Sequence, residues 1–597
     1  MTYTGTKNKT IWQGTMQLIR RSHLQALFCA AAVLVCALIS RPFTTMGIGD
    51  DGPYILMAQN LAVTGHIVYN GWAAAMIVLQ LYLAAAFIKL FGFSFTTVRM
   101  STLLIAVVTA FVLQRTLVRA NLSERNATIG TLALVLSPLY LTLSVTFMSD
   151  ITGLFAIVIC LYGCLRALQS TTDRTTIAWL CFAVVTNALF GTSRQIAWLG
   201  ILVMVPSTLW LLRFRRRIFV VGAASTLAGT IFIFGCMHWL KHQPYIVQVP
   251  LFAGNFPIRN ALDQLCCVFL EIPFLLLPLA ALFLPQIPKS SPKVIAVTVV
   301  LLLVYVVQAL WGRNHGVFFL EPAVGDWVSI YGAYGGGSSA LMGPPPIFLH
   351  ERARTLLTIV SLGGLAGLIV SLQRSRQTQP VVDSTAATVS WKQFAILFGP
   401  FTFAYILLLF SVYATTKLLF DRYVLGLLIV PLVCLVRFYQ ERIRTQLPLA
   451  AVFLVAVTSI YSTAVTYNMF SFYRARAALA AELRANGIPD TSVNHGWEYN
   501  FDVELQNANH INNNLIAVPA NAYIPPPPPP PPDQCQMFWQ DRTPHIHPLY
   551  GVSFDPDACF GLAPFAPVHY SRWPYRTPGT LYVVRYAPLP PLERPQH

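Results

Sequence analysis

Charge is what this sequence has least of. Only 11% of its 597 residues are Asp, Glu, Lys or Arg, against about 25% in a soluble domain. That scarcity excludes an ordinary soluble chain. No CxxC or HExxH motif occurs, so nothing points to a zinc site. An internal repeat is also missing, which counts against a transporter built from inverted halves. Most of the 11 cysteines lie inside apolar stretches, where Cys packs as a small apolar residue. Cys535 and Cys559 fall in the tail, where a disulfide is permitted; bonded and free forms both stay open.

What the sequence has instead is apolar length. Hydrophobic residues make up 55% of the chain, and the mean hydropathy is +0.58. Apolar segments lie near 25–40, 100–114, 127–148, 152–168, 177–192, 196–212, 218–238, 264–284, 294–311, 355–372, 394–414, 423–436 and 447–467. Each approaches the roughly 20 residues that cross a 30 Å hydrocarbon core. The expectation is an all-α polytopic membrane protein of about 13 transmembrane helices.

The stretch 72–91 is apolar too, and charge arbitrates its placement. Treated as an interfacial helix, it leaves Lys7, Lys9, Arg20, Arg21, Arg115, Arg119, Arg125, the 213–217 cluster and Arg437, Arg442 and Arg444 all on one face. That face then holds 21 of the 40 Lys and Arg but only Glu124, Asp173, Asp383 and Glu441 as acids. Its net charge equals the +17 of the whole chain. This is the positive-inside pattern, with the N-terminus in the cytoplasm. The pI near 9.5 is therefore an orientation signal, and a nucleic-acid partner, which needs one clustered basic face, is not expected.

The expected organisation is a cytoplasmic segment 1–24, a transmembrane domain 25–470 and an extracytoplasmic region 471–597. Long outer loops cover 41–99 and 312–354. In the tail, Arg474 to Asn486 reads as a short amphipathic helix, 525–532 is a polyproline spacer, and Thr580 to Tyr586 alternates like a strand. A small, α/β outer domain follows from that pattern.

Acids against a membrane are costly, about 2.5–3.5 kcal/mol at a helix centre, so the few present are the candidates. Asp50 and Asp51 sit in Gly47-Ile-Gly-Asp50-Asp51-Gly-Pro-Tyr54, just after the first span. A carboxylate at such a boundary is partly desolvated, which suits a general base; the plain alternative is a solvated turn. Asp150 lies on the same face, between the third and fourth spans, where a helix N-cap is the plain alternative. Arg194, Lys417 and Arg422 stand on the outer face, against the charge rule. They suit a phosphate, or they snorkel or pair with Asp421. Trp311, Trp327, Tyr331 and Tyr334 suit stacking on a sugar or an interfacial belt.

Taken in order, these motifs resemble the GT-C superfamily of membrane glycosyltransferases, in its protein O-mannosyltransferase, aminoarabinose-transferase and rhizobial lipopolysaccharide-transferase-like branch. The resemblance rests on the acidic pair Asp50-Asp51; on Tyr54, Ala58, Asn60, Leu61, Ala62 and Gly65 after it; on Leu90-Phe91-Gly92 with Arg99; on Leu136-Ser137-Pro138; on Asp150; and on Arg422-Tyr423. It covers 25–215 well and 390–470 loosely. The family usually has Asp-Glu where this chain has Asp50-Asp51, and Pro-Pro where it reads Tyr69-Asn-Gly-Trp-Ala73. The usual donor-phosphate contact is thus absent there, and His66 or Arg194 would replace it.

The resemblance implies a polyprenyl-phosphate sugar donor, an acceptor that is a lipid, glycan or protein, and transfer with inversion at the outer face of a bacterial inner or plasma membrane. Asp50 would be the base, with Asp51 as its alternative. Arg422, with Arg194, Lys417 or His66, would bind phosphate. Asp150 would orient the acceptor or, with Asp50, hold a divalent cation such as Mg or Mn. A transporter or lipid flippase of cell-envelope precursors is the competing class.

Overall fold

The computed structural model describes residues 23–249, 258–289, 291–313, 320–334, 340–376, 389–416, 419–526 and 535–586. Lys7, Lys9, Arg20, Arg21, Gly335 to Gly337, Asp383, Lys417 and prolines 527–532 lie outside them, as does the side chain of Trp311.

Apolar composition makes helices here because each span must satisfy its own backbone in lipid. Seven helices among the described residues are long and apolar enough to cross a membrane: Phe95–Arg119, Ser149–Gln169, Asp173–Gly191, Arg216–Lys241, Glu351–Ser375, Trp391–Tyr413 and Leu449–Ala485. Two bent pairs raise the number to nine. The chain is a multi-pass, mostly helical membrane protein with a small sheet near its C-terminus. Other expected spans are shorter or irregular.

Each irregularity has a local cause. The expected span 127–148 breaks into Glu124–Val135 and Pro138–Ser144, bent by 69°. Ser137 caps the second piece through Tyr140 N–H at 3.3 Å, and Pro138 supplies no N–H. The span 264–284 becomes Ile258–Leu275 and Leu277–Lys289, bent by 75°, in a stretch containing Pro273, Pro278 and Pro285. The expected helix 196–212 is a 3₁₀ turn, a π turn and a short α-helix. Asn187 inserts into its ladder: its amide donates to Ala197 C=O at 3.0 Å and accepts from Ile201 N–H at 3.1 Å. Side-chain insertion is a recognised cause of such distortion.

Residues 72–91 form only a 14-residue helix, Val78–Phe91, about 21 Å long and too short to cross. The separate helix expected at 474–486 does not exist as such. It continues the last span, so Leu449–Ala485 is one helix of 37 residues, about 55 Å. No proline or glycine interrupts it.

Beyond that helix, Trp497–Ala508 is helical and four strands form one sheet in the order 493–494, 550–553, 579–585, 568–570. The first pair is parallel and the others antiparallel. The alternating strand read at 580–586 is Gly579–Arg585, with Val583 paired to Val552. Cys535 and Cys559 form a disulfide. The loop after 313 carries a two-stranded hairpin, Val328–Ser329 with Gly332–Ala333.

Candidate functional site

The turn 46–52 makes its two acids different. Asp51 is fully buried. It accepts from Arg99 Nε at 2.8 Å and Nη2 at 3.0 Å, from Ile48 N–H at 2.7 Å and from Phe147 N–H at 3.2 Å. Arg99 also donates to Met46 C=O at 2.7 Å. Both Asp51 oxygens are thus spent on shaping the turn. Gly49 has φ +59°, and a Cβ there would stand 3.2 Å from the Tyr334 ring and 3.3 Å from Trp327. Conformation and space both call for glycine.

Asp50 faces the other way. Its Oδ2 accepts from Arg422 Nη1 at 2.7 Å and its Oδ1 from Trp72 Nε1 at 3.1 Å. Trp72 reaches it because the chain doubles back after Thr64: Asn70 donates to Pro53 C=O at 2.9 Å, and its own C=O accepts from Ile511 N–H at 2.9 Å. Trp72 then packs on Trp497, Phe501 and Trp539, with centroids 5.5, 4.7 and 5.4 Å away. The tail therefore braces a ligand of Asp50.

A second pair stands beside the first. Asp150, buried in the first turn of Ser149–Gln169, is 3.0 Å from Arg194 Nη2, and Arg194 Nη1 donates to Ser149 Oγ at 3.1 Å. The N-cap alternative fails, since Met148 occupies that position and no side chain caps the helix. Gly153 makes the room: a Cβ there would lie 2.9 Å from Arg194 Cδ. Tyr423 joins the two pairs. The guanidinium carbons of Arg194 and Arg422 lie 5.4 and 5.5 Å from its ring centroid.

Asp421 and Asp326 complete the cluster, and sequence patterns gave Asp326 no distinction. Asp421 is buried and accepts from the N–H groups of Trp327 at 3.3 Å, Val328 at 2.6 Å and Arg422 at 2.6 Å. It is a loop anchor rather than a partner for the Arg422 guanidinium. Burial pushes its pKa up to about 7, and the charge of Glu271 adds to that. Asp326 Oδ2 lies 3.4 Å from Arg422 Nε. Burial raises the Asp326 pKa well above the usual carboxylate range, against the pull of Arg422.

Other candidates fall elsewhere. His66 is exposed, past the far end of helix Asp51–Thr64, about 20 Å along its axis from Asp50. Trp327 is fully buried and stacks on Tyr334 at 4.6 Å. One face of each ring is therefore used by the other. Tyr331 lines a small cavity with Tyr334, Phe348, Phe472 and Tyr570. Lys417 lies outside the described residues.

No group of three or more His, Cys, Asp and Glu able to hold a metal occurs among the described residues. Asp50 and Asp150 each face a guanidinium rather than one another. This arrangement does not suit a Mg or Mn ion, which wants converging oxygen ligands.

The many-span helical body thus brings two carboxylate–guanidinium pairs, Asp50 with Arg422 and Asp150 with Arg194, to one place. Residues 78–242 match the family model described as dolichyl-phosphate-mannose-protein mannosyltransferase. The match bears out the resemblance to the GT-C membrane glycosyltransferases, and by class the chain is a glycosyltransferase. It is similar at 14% identity to ArnT from Cupriavidus metallidurans in the apo state, over 79% of this chain and 82% of that one, with a TM-score of 0.38. It is also similar at 14% identity to the S. cerevisiae protein O-mannosyltransferase Pmt1-Pmt2 complex bound to the sugar donor, over 37% and 32%, with a TM-score of 0.29. Similarity to the Archaeoglobus fulgidus oligosaccharyltransferase complex with Zn and sulfate is 17% in identity over 76% and 51%, with a TM-score of 0.30. No curated protein matches the sequence.

Proposed function

We propose that the protein moves a sugar from a polyprenyl-phosphate donor to a hydroxyl of a lipid, glycan or protein acceptor at the outer membrane surface. The observation that carries this reading is the contact of Asp50 with Arg422, with Arg194 on the same Tyr423 ring. A base and two phosphate-holding guanidiniums stand within one site. The family match adds to it, since the matched family is described by a polyprenyl-type donor, dolichyl-phosphate-mannose.

In this mechanism Asp50 takes the proton of the acceptor hydroxyl. The acceptor oxygen bonds to the anomeric carbon from the face opposite the phosphate. The bond from that carbon to the phosphate oxygen breaks, and polyprenyl phosphate leaves with the electron pair, giving inversion. Arg422 and Arg194 stabilise the growing phosphate charge, and Asp150 holds Arg194 in place. Asp51 is assigned to shaping the turn. The cytoplasmic N-terminus, the body 25–470 and the outer region 471–597 in a bacterial inner or plasma membrane remain part of the proposal; the charge distribution supports the orientation.

Purified protein given a radiolabelled polyprenyl-phosphate sugar tests this. Asp50→Asn should lower transfer by about 10²–10⁴-fold, the range of general-base catalysis, and Asp150→Asn by less. Transfer at the wild-type rate by both variants would overturn the assignment.

A further inference from the structure

The loop 320–334 offers Arg422 a second carboxylate, and it is held to do so at two points. Glu271 Oε2 accepts from Ala323 N–H at 2.8 Å and Val324 N–H at 3.1 Å. Four residues later, Asp421 accepts from Trp327 and Val328. Between the clamps Gly325 has φ +70° and Asp326 φ +149°. The second value is strained for a residue with a Cβ, and such strain persists where surrounding structure imposes it. The strained backbone carries the Asp326 side chain, only 11% exposed, to 3.4 Å from Arg422 Nε. Neither Asp326 Oδ2 nor Arg422 Nε has a hydrogen-bond partner among the described residues. One guanidinium therefore stands between two carboxylates, bonded to Asp50 through Nη1 and just short of bonding to Asp326 through Nε.

In this state Asp50 is not free to act. Its Oδ2 is filled by Arg422 and its Oδ1 by Trp72. A donor phosphate that takes the Nη1 hydrogen now given to Asp50 displaces that contact, and the guanidinium then needs another hold. A movement of about 0.6 Å, with the N–H turned toward the carboxylate, would bring Asp326 and Nε from 3.4 Å to a charge-assisted hydrogen bond. We propose that Asp326 is a positioning residue that takes over Arg422 as the donor phosphate arrives, so that Asp50 is released to the acceptor hydroxyl. This rests on the function proposed above. The charged groups facing Asp326 are Arg422, Asp421, Asp50 and Asp150, and burial outweighs Arg422 in raising its pKa. A neutral carboxyl still accepts through its carbonyl oxygen. It would orient the guanidinium while leaving the positive charge to the phosphate.

The test is equilibrium binding of undecaprenyl phosphate, without sugar, to the full-length protein in detergent, in four forms: wild type, Asp326→Ala, Asp50→Asn and the double variant. Losing one hydrogen bond to a charged group should weaken binding by Asp326→Ala about ten- to a hundredfold. With Asp50→Asn, Arg422 is already free to rest on Asp326, so the same alanine change should cost no more than about threefold. Asp326→Asn keeps an accepting oxygen and should bind within about threefold of wild type, which guards against misfolding as the cause. Wild-type binding by Asp326→Ala, or an equal penalty with and without Asp50, overturns the exchange and leaves the function standing. If the wild type fails to bind the lipid phosphate at all, the function proposal falls and the exchange with it.

Discussion

The buried pair of Asp51 and Arg99 permits a demanding prediction. Both side chains are fully shut from solvent. Replacing Arg99 by Met removes two bonds to the carboxylate, at 2.8 and 3.0 Å, and the bond to Met46 C=O at 2.7 Å. Two backbone N–H groups still reach Asp51, but its charge is left uncompensated. Breaking a buried pair from one side costs about 3–5 kcal/mol, or roughly two to three and a half orders of magnitude in the folding equilibrium. Removing both charges is different, because apolar residues of similar volume often replace such a pair at little cost. Arg99→Met with Asp51→Leu should therefore recover a large part of what Arg99→Met loses. Reversible unfolding in mixed micelles, followed by tryptophan fluorescence, compares the forms. An Arg99→Met protein as stable as wild type, or a double variant no more stable than the single one, would refute the reasoning.

Asp502 predicts a pH effect. Burial pushes its pKa from 3.8 up to about 8, the Asp51 charge adding and Arg99 opposing, and its Oδ1 has no hydrogen-bond partner among the described residues. Between about pH 4 and pH 8 the folded state keeps a proton that the unfolded state has released. Stability therefore falls as pH rises through that window. Unfolding titrations should show the slope flattened in Asp502→Asn; an unchanged slope would count against it. Arg422→Lys keeps the charge but loses the planar fork, so sugar transfer should drop by about tenfold or more, with folding intact, if the guanidinium serves phosphate and carboxylate together. Full activity in that variant would argue otherwise. Cys535 and Cys559 should appear as one linked peptide pair in a non-reducing digest, and two alkylated free thiols there would contradict the bond seen in the structure.

Several site features were legible because they are local. Acids are so rare near the spans that Asp50 and Asp150 stand out, and Arg194 and Arg422 stand against the charge bias that gathers 21 of the 40 bases on one face. The Ser137-Pro138 break has a local cause, a capping hydroxyl followed by an imino acid, but the stretch 127–148 reads in sequence as one span. Asp326 had no local mark. Its importance comes from Glu271 and Asp421, which are 55 residues before it and 95 after it in the chain. The π turn at Gly200–Met204 was hidden likewise, since the residue that distorts it, Asn187, belongs to the preceding helix.

By itself the sequence determined that this protein lives in a membrane, because hydropathy and the scarcity of charge are sums over residues and need no partner. It also marked Asp50 and Asp150 as the acids to suspect, because so few lie near the spans. Which acid does what was decided only by tertiary structure. Asp50 and Asp51 are adjacent and chemically identical, yet one is saturated by Arg99 and two backbone N–H groups while the other meets Arg422 and Trp72. A carboxylate's task follows from the donors around it, and those donors come from segments far apart in the chain.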